Sequence, residues 1–223
     1  MSPRKRLVIF GAGGFAREVR WLAEEIDALA PSFTFVGYVV SDLQRLGAHD
    51  SKKDLLGEVS WLREHRSSFD SIALAIGTPA ARTSVGQALI AEFGEGVFPA
   101  LVHPSVKLDR KSCKIGPGAL LCAGVVATVN VEFGPFALVN LQCTLGHEAK
   151  VGWASVLNPS VNLSGGVTIG PGVLVGTGAQ VLQYLSVGAG ATVGSGAVVV
   201  KDVPAGETVV GIPARPIGRK EHP

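Results

Sequence analysis

From Ile115 onward every sixth residue is apolar. The series runs Ile115, Leu121, Ala127, Phe133, Val139, Leu145 and continues without a break to Val199. Fifteen consecutive positions hold the phase, and fourteen of them carry a large side chain. Four residues after each guide position sits a second set, small or aliphatic, from Ala119, Val125, Val131 and Ala137 through Cys143 to Val203. The residue directly after the guide is glycine in eight of the fifteen hexapeptides. A fixed period of six matches neither the 3.6 of an amphipathic helix nor the strict alternation of a half-buried strand. The turns of a β-sandwich do not recur at a constant spacing either. The pattern predicts one short strand and one corner per hexapeptide, with the large side chain inward and glycine supplying unusual dihedrals at corners. Three hexapeptides close a triangular coil of 18 residues, so this 90-residue stretch makes five coils stacked on one continuous core. Val102 and Leu108 mark an earlier partial coil, set off by one extra residue before Ile115.

The first hundred residues follow another rule. Leu7-Val8-Ile9-Phe10 suits a buried parallel strand, and GAGGFARE (residues 11–18) follows it. Val19, Leu22, Ala23 and Ile26 then fall on one helical face. A second strand is expected over Phe33 to Val40, ending at Ser41-Asp42, and a helix around Trp61-Leu62. A third strand runs Ser71 to Ile76 and closes at Gly77-Thr78-Pro79. A helix over Ala80 to Phe93 and a last strand over Val97 to Leu101 complete the unit. Strands alternating with helices predict a parallel sheet of Rossmann type, truncated at about 100 residues. The fold class is therefore α/β plus all-β, with residues 1–100 as a small Rossmann-like domain and 101–223 as the coiled domain.

Charge sharpens the division. Residues 1–100 hold 23 of the 38 charged side chains, and only Glu132, Glu148 and Lys150 are charged between Ile115 and Val200. The mean hydropathy of +0.35 raises a membrane question. Polar and glycine residues interrupt every apolar run well short of the ~20 residues a spanning helix needs, so no membrane is expected. A net charge of +2 is too small to suggest a nucleic-acid surface. The N-terminus lacks the core and cleavage site of a signal peptide, which points to a cytoplasmic protein. Cys113, Cys122 and Cys143 have no metal spacing. A metal site of the three-histidine kind is not expected, since only His103 and His147 lie in the repeats.

So few ionisable groups leave a short choice of chemistry. His147 and Glu148 stand together at a corner or outward position of the repeat Leu145–Lys150. Histidine accepts a proton near neutral pH, and an adjacent carboxylate can fix its tautomer. Adding one coil of 18 to His147 and Glu148 gives Gly165 and Gly166, a pair that leaves open space and an exposed N–H above the imidazole. Such an N–H can hold a carbonyl or a developing oxyanion, and such a pair can equally be a tight corner. Gln183 and Lys201 follow in the same column and could line a cofactor groove. In the first unit, Gly11, Gly13 and Gly14 permit close approach of an anionic ligand to a helix N-terminus, a weak signal taken alone.

The hexapeptide pattern over residues 101–217 resembles the left-handed parallel β-helix of hexapeptide-repeat acyltransferases. Together with GAGGFARE the chain resembles the bacterial sugar acyltransferases of the sialic-acid O-acyltransferase type. Within them it is most similar to the N-acetyltransferases of nucleotide-linked 4-amino-4,6-dideoxy sugars. The resemblance implies a homotrimer with active sites between subunits, acetyl-CoA as co-substrate, and His147 and Glu148 as base and orienting partner. It implies that Asn140, seven residues before the base, joins the site and that the Gly165 amide contacts the acetyl carbonyl. The segment Gly211-Ile212-Pro213-Ala214-Arg215 would border the coenzyme A groove. A nucleoside-diphosphate sugar would lie at Gly11–Phe15 (Gly11, Gly13, Gly14, Phe15), at Ser41 and Asp42, and at Gly77 and Thr78. Arg82 would reach a phosphate or base, or lie solvated on its helix. The sequence departs from the family at Val156, where some members carry a second histidine, and at Trp153, where an acidic residue is common. O-acetylation of a sugar such as sialic acid and a non-catalytic nucleotide-sugar-binding trimer are the rival readings.

Overall fold

A computed structural model describes residues 3–217. The N-terminal unit is a four-stranded sheet with helices. Its elements are β1 (Lys5–Phe10), α1 (Gly14–Leu29), β2 (Phe33–Val40), β3 (Leu55–Glu58), α2 (Val59–Glu64), β4 (Ser71–Leu74) and α3 (Pro79–Phe93). The strands are parallel in the order β3-β2-β1-β4. Helix α1 buries Ala16, Val19, Leu22 and Ala23, the face its apolar spacing predicts. Pro79 opens α3, where a missing N–H costs nothing.

Two sequence expectations need correction. Strand β3 was not anticipated, because four residues containing a glycine give too weak a pattern. Gly57 takes φ +149° where the register of β3 against β2 shifts. Val97 to Leu101, in turn, adds no strand to this sheet. Glu95–Val97 forms a short 3-10 turn, and Leu101–Val102 pairs with Leu120-Leu121 in the second half. The outer edge of β4 is closed by the Arg82 side chain instead, and Phe98 packs edge-on to Phe136 at 5.2 Å.

From Leu101 the chain winds as a three-sided prism of two-residue strands in three parallel sheets. Leu120 pairs with Leu138, Leu138 with Val156 and Val156 with Leu174, each step being 18 residues. The first coil is one residue longer, since Leu101 pairs with Leu120 and Lys107 with Val126. Leu121, Val139, Leu157 and Val175 stack with Leu145, Leu163, Phe133 and Val151 in a single buried core. Each such side chain contributes roughly 1.5–3 kcal/mol on leaving water.

The structure reassigns the role of the glycines. The corner residues with left-handed dihedrals stand three residues after the guide, at Gly118, Phe136 and Ala154 on one edge, Gly124, Gln142 and Ser160 on the second, and Asn130, Glu148 and Gly166 on the third. The glycine directly after the guide is required by stacking. A Cβ on Gly116 would meet the Pro135 nitrogen at 2.6 Å, and one on Gly152 would meet the Gly170 carbonyl carbon at 2.5 Å.

The N-terminal unit sits on one face and one edge of the prism. Leu120, Leu138 and Val156 point outward yet are buried with Ala16, Val19 and Leu22 of α1. Phe136 and Ala154, on the adjoining edge, share a core with Phe10, Leu74 and Phe98. Gly86 lets α3 approach, since a Cβ there would lie 2.9 Å from the Phe136 ring.

Candidate active site

His147 lies at the prism edge of Asn130, Glu148 and Gly166, away from the edge that carries the N-terminal unit. Its Nδ1 bonds to the Glu148 carboxylate, and both side chains are about half exposed. Asn130 Nδ2 donates to the second carboxylate oxygen at 3.2 Å. These bonds, His147 first and Asn130 second, hold the Glu148 carboxyl below the usual carboxylate range. An ionised carboxylate only accepts, so Nδ1 carries the proton, and in the neutral ring Nε2 presents a lone pair. Asn130 was missed in the sequence, although subtracting one coil from Glu148 finds it.

Gly165 stacks directly on this ring. A Cβ at that position would run into Nε2 and would lie 2.5 Å from Cε1, so only glycine leaves the imidazole in place. Gly165 and Gly166 divide the two roles read from the sequence. Gly166 is the tight corner, with φ +68°, and its N–H donates to the His147 carbonyl at 2.7 Å. The Gly165 N–H has no acceptor among the described residues. Tyr184, one coil above Gly166 and 70% exposed, stands over that corner and was also missed.

Gln183 is exposed in the column above Gly165. Lys201, Ala214 and Arg215 line a cavity of about 330 Å³ at the end of the prism, together with Asp202 and Glu207. Ile212 and Pro213 form the exposed bend that leads into it.

The sugar-site candidates gather elsewhere. Because β1, β2 and β4 are parallel, Gly11–Phe15, Ser41-Asp42 and Gly77-Thr78 all emerge at the carboxyl edge of the sheet. Gly11 has φ +125°, and a Cβ there would lie 2.6 Å from the Ala75 carbonyl oxygen. Gly13 precedes the first turn of α1, and no side chain caps that end. Gly14, one residue on, is exposed. Asp42 accepts from Gln44 N at 2.8 Å and pairs with Arg45, which ties it to its own turn. Asn140 does not meet His147 within one chain. It lines a cavity of about 190 Å³ with Phe15, Glu18, Leu22, His103 and Cys122, at the next prism edge. The face bearing Thr144, Asn162 and Gln180 separates the two. His103 locks this cavity's wall, since Nε2 bonds Glu25 of α1 at 2.6 Å while Nδ1 accepts from Ser105 N at 3.0 Å.

Arg82 requires correction. Neither solvated nor facing a ligand, it is fully buried between the sheet and the prism. Nε donates to the Phe136 carbonyl at 2.6 Å, and Nη1 to the carbonyls of Leu74 and Ile76 at 2.8 and 2.9 Å. Burial raises the thiols of Cys122 to about 12 and of Cys143 to about 11, which removes both as nucleophiles. Among the described residues no group of three or more His, Cys, Asp or Glu could hold a metal ion, and no helix is long and apolar enough to cross a membrane.

No family model matches the chain. Known proteins do. GDP-perosamine N-acetyltransferase of Escherichia coli O157:H7 is 31% identical over 222 residues, which cover 95% of this chain and 96% of that protein. Serine acetyltransferase 1 of Arabidopsis thaliana is 41% identical over 139 residues, so the chain spans 43% of that relative's length. Among solved structures, a histidine-to-asparagine mutant of perosamine N-acetyltransferase from Caulobacter crescentus in complex with CoA and GDP-perosamine superimposes with a TM-score of 0.80. It is 27% identical, and 95% of this chain and 96% of that one are covered. The acetyltransferase domain of PglB from Neisseria gonorrhoeae FA1090 in complex with acetyl coenzyme A gives 0.83 at 29% identity, covering 96% and 100%. Near-complete coverage at this identity, over both the sheet unit and the prism, shows that the chain belongs to the family of GDP-perosamine N-acetyltransferase.

Proposed function

We propose that the protein transfers acetyl from acetyl-CoA to the 4-amino group of a nucleotide-linked 4-amino-4,6-dideoxy sugar. The observation that carries this reading is a histidine whose Nδ1 is held by an ionised carboxylate and whose Nε2 lies bare beneath the uncommitted Gly165 N–H. His147 Nε2 takes the proton of the attacking amine, and Glu148 steadies the imidazolium that results. The Gly165 N–H donates to the carbonyl oxygen as negative charge grows there. Acetyl-CoA supplies the activated acyl group, which passes directly to the amine as the thioester C–S bond breaks and coenzyme A leaves as the thiol, since the raised Cys122 and Cys143 thiols argue against an acyl-enzyme. Lys201, Ala214 and Arg215 would border the coenzyme, with Gln183 and Gly166 along its path and Ile212 and Pro213 at the end.

The prism winds left-handed in this reading, as in the hexapeptide-repeat acyltransferases, and residues 1–100 form a Rossmann-like nucleotide-sugar domain. A homotrimer, as the family resemblance implies, would bring the two parts of the split site together. His147 on one edge needs a sugar delivered by the sheet unit and Asn140 of a neighbouring copy. The exposed apolar Val126, Val129 and Leu182 beside the intervening face suit that packing. Three free thiols fit a reducing, cytoplasmic setting.

The test offers the purified protein acetyl-CoA with UDP-, GDP- and dTDP-linked 4-amino sugars and with sialic acid, following release of free thiol. Turnover with one of the nucleotide-linked amines and none with the hydroxyl acceptor is expected. Turnover on sialic acid alone would replace the N-acetylation reading, and binding of nucleotide sugar without any thiol release would reduce the protein to a scaffold.

A further inference from the structure

We infer that Arg82 is a positioning residue, which turns the Ala75–Thr78 segment so that the Gly77 N–H faces a phosphate of the nucleotide sugar. The inference rests on the proposed function, which sets the nucleotide at the carboxyl edge of the sheet.

Strand β4 is an edge strand, and its outer carbonyls have no neighbouring strand to satisfy them. Arg82 Nη1 donates to Leu74 O at the end of the strand and to Ile76 O just beyond it, while Nε fixes the guanidinium to the prism through Phe136 O. A trans peptide is planar, so a carbonyl of Ile76 drawn inward sends the Gly77 N–H outward. That N–H has no acceptor among the described residues, and a Cβ on Gly77 would meet nothing within 4 Å. The 15-residue α3 begins two residues later without a side-chain cap, which adds its positive end to the same opening.

The charge is the second observation. Arg82 pairs with no carboxylate among the described residues, and its Nη2 has no hydrogen-bond partner. Burial lowers its pKa to about 9, so it remains a cation at neutral pH. A buried cation answered only by carbonyl dipoles leaves a positive potential behind the turn, complementary to a diphosphate in front of it.

Arg82→Lys keeps the charge and loses the fork. It is expected to raise KM for the nucleotide sugar about tenfold, the size of one lost charge-assisted hydrogen bond, with KM for acetyl-CoA and kcat near parent values. Gly77→Pro deletes the N–H while leaving Arg82 in place, and serves if the Arg82 variant does not fold; the same selective rise is expected. A lower thermal midpoint with both KM values unchanged would make Arg82 an edge cap only and overturn the inference. Parent protein that shows no saturable binding of any nucleotide sugar would overturn the reading beneath it, and the inference with it.

Discussion

The prism edge of Phe136 and Ala154 and the edge of Asn130 and Glu148 share one backbone conformation. Their φ values are +54° and +51° on the first and +56° for both residues on the second. Each such L-residue costs roughly 1–2 kcal/mol. On the first edge the residues are buried under α3, and packing offsets the strain. On the second they are open, and the offset comes from the Asn130–Glu148–His147 hydrogen bonds. The same corner is therefore packed where it is covered and free for the proposed chemistry where a polar column is left exposed.

Substitutions can break this contrast. His147→Ala should lower turnover by up to about 10⁴-fold, as loss of a general base does, while thermal unfolding stays near that of the parent because the side chain is half exposed. Equal loss of stability would put His147 among the packing residues of the covered edge. Phe136→Ala should destabilise by about 3–5 kcal/mol in urea unfolding, since a buried ring is lost between Phe98 and Trp153. A change under about 1 kcal/mol, the range of ordinary surface substitutions, would mean that the covered edge is not held by packing. Gly165→Ala should cut turnover by about 100-fold with little change in stability, because its methyl displaces the imidazole into solvent. Full activity in that variant would remove the ring beneath Gly165 from the mechanism.

The smallest effect concerns pH. The native Glu148 carboxyl titrates below its ordinary value, so its contribution is present above the unfolded value and is lost as pH falls through the native one. Asn130→Ala removes one of the two bonds responsible and should move that loss toward higher pH, as read by carbon-detected NMR titration of the carboxyl. An unmoved titration would leave His147 as the sole support of Glu148.

Much of this was legible before any coordinates. The inward residues had to recur with the coil, so a period of six exposed the prism and an offset of 18 paired His147 with Gly165. Asn130 lies one coil below Glu148, on the side of the column opposite to Gln183, and its own hexapeptide carries no mark of a site. Arg82 was opaque because a charged residue at a helix N-terminus reads as solvated, and only the docking of the sheet unit on Phe136 hides it. Strand β3 was too short to show a period, and Leu101–Val102 carries a strand pattern without saying which sheet will claim it. The glycines that follow eight of the fifteen guide residues revealed their frequency but not their cause, since the contact that demands them is to a chain segment one coil away.

The 18-residue stacking interval around His147 also governs how this stretch can change length. Deleting or adding a few residues between His147 and Gly165 would slide a bulkier neighbour over the imidazole and rotate every later inward position toward water. Whole turns added beyond Gly165 would leave that pairing intact and only lengthen the wall above it. Growth over this stretch is therefore quantised, and the storey of the candidate site is insulated from whatever is built on top.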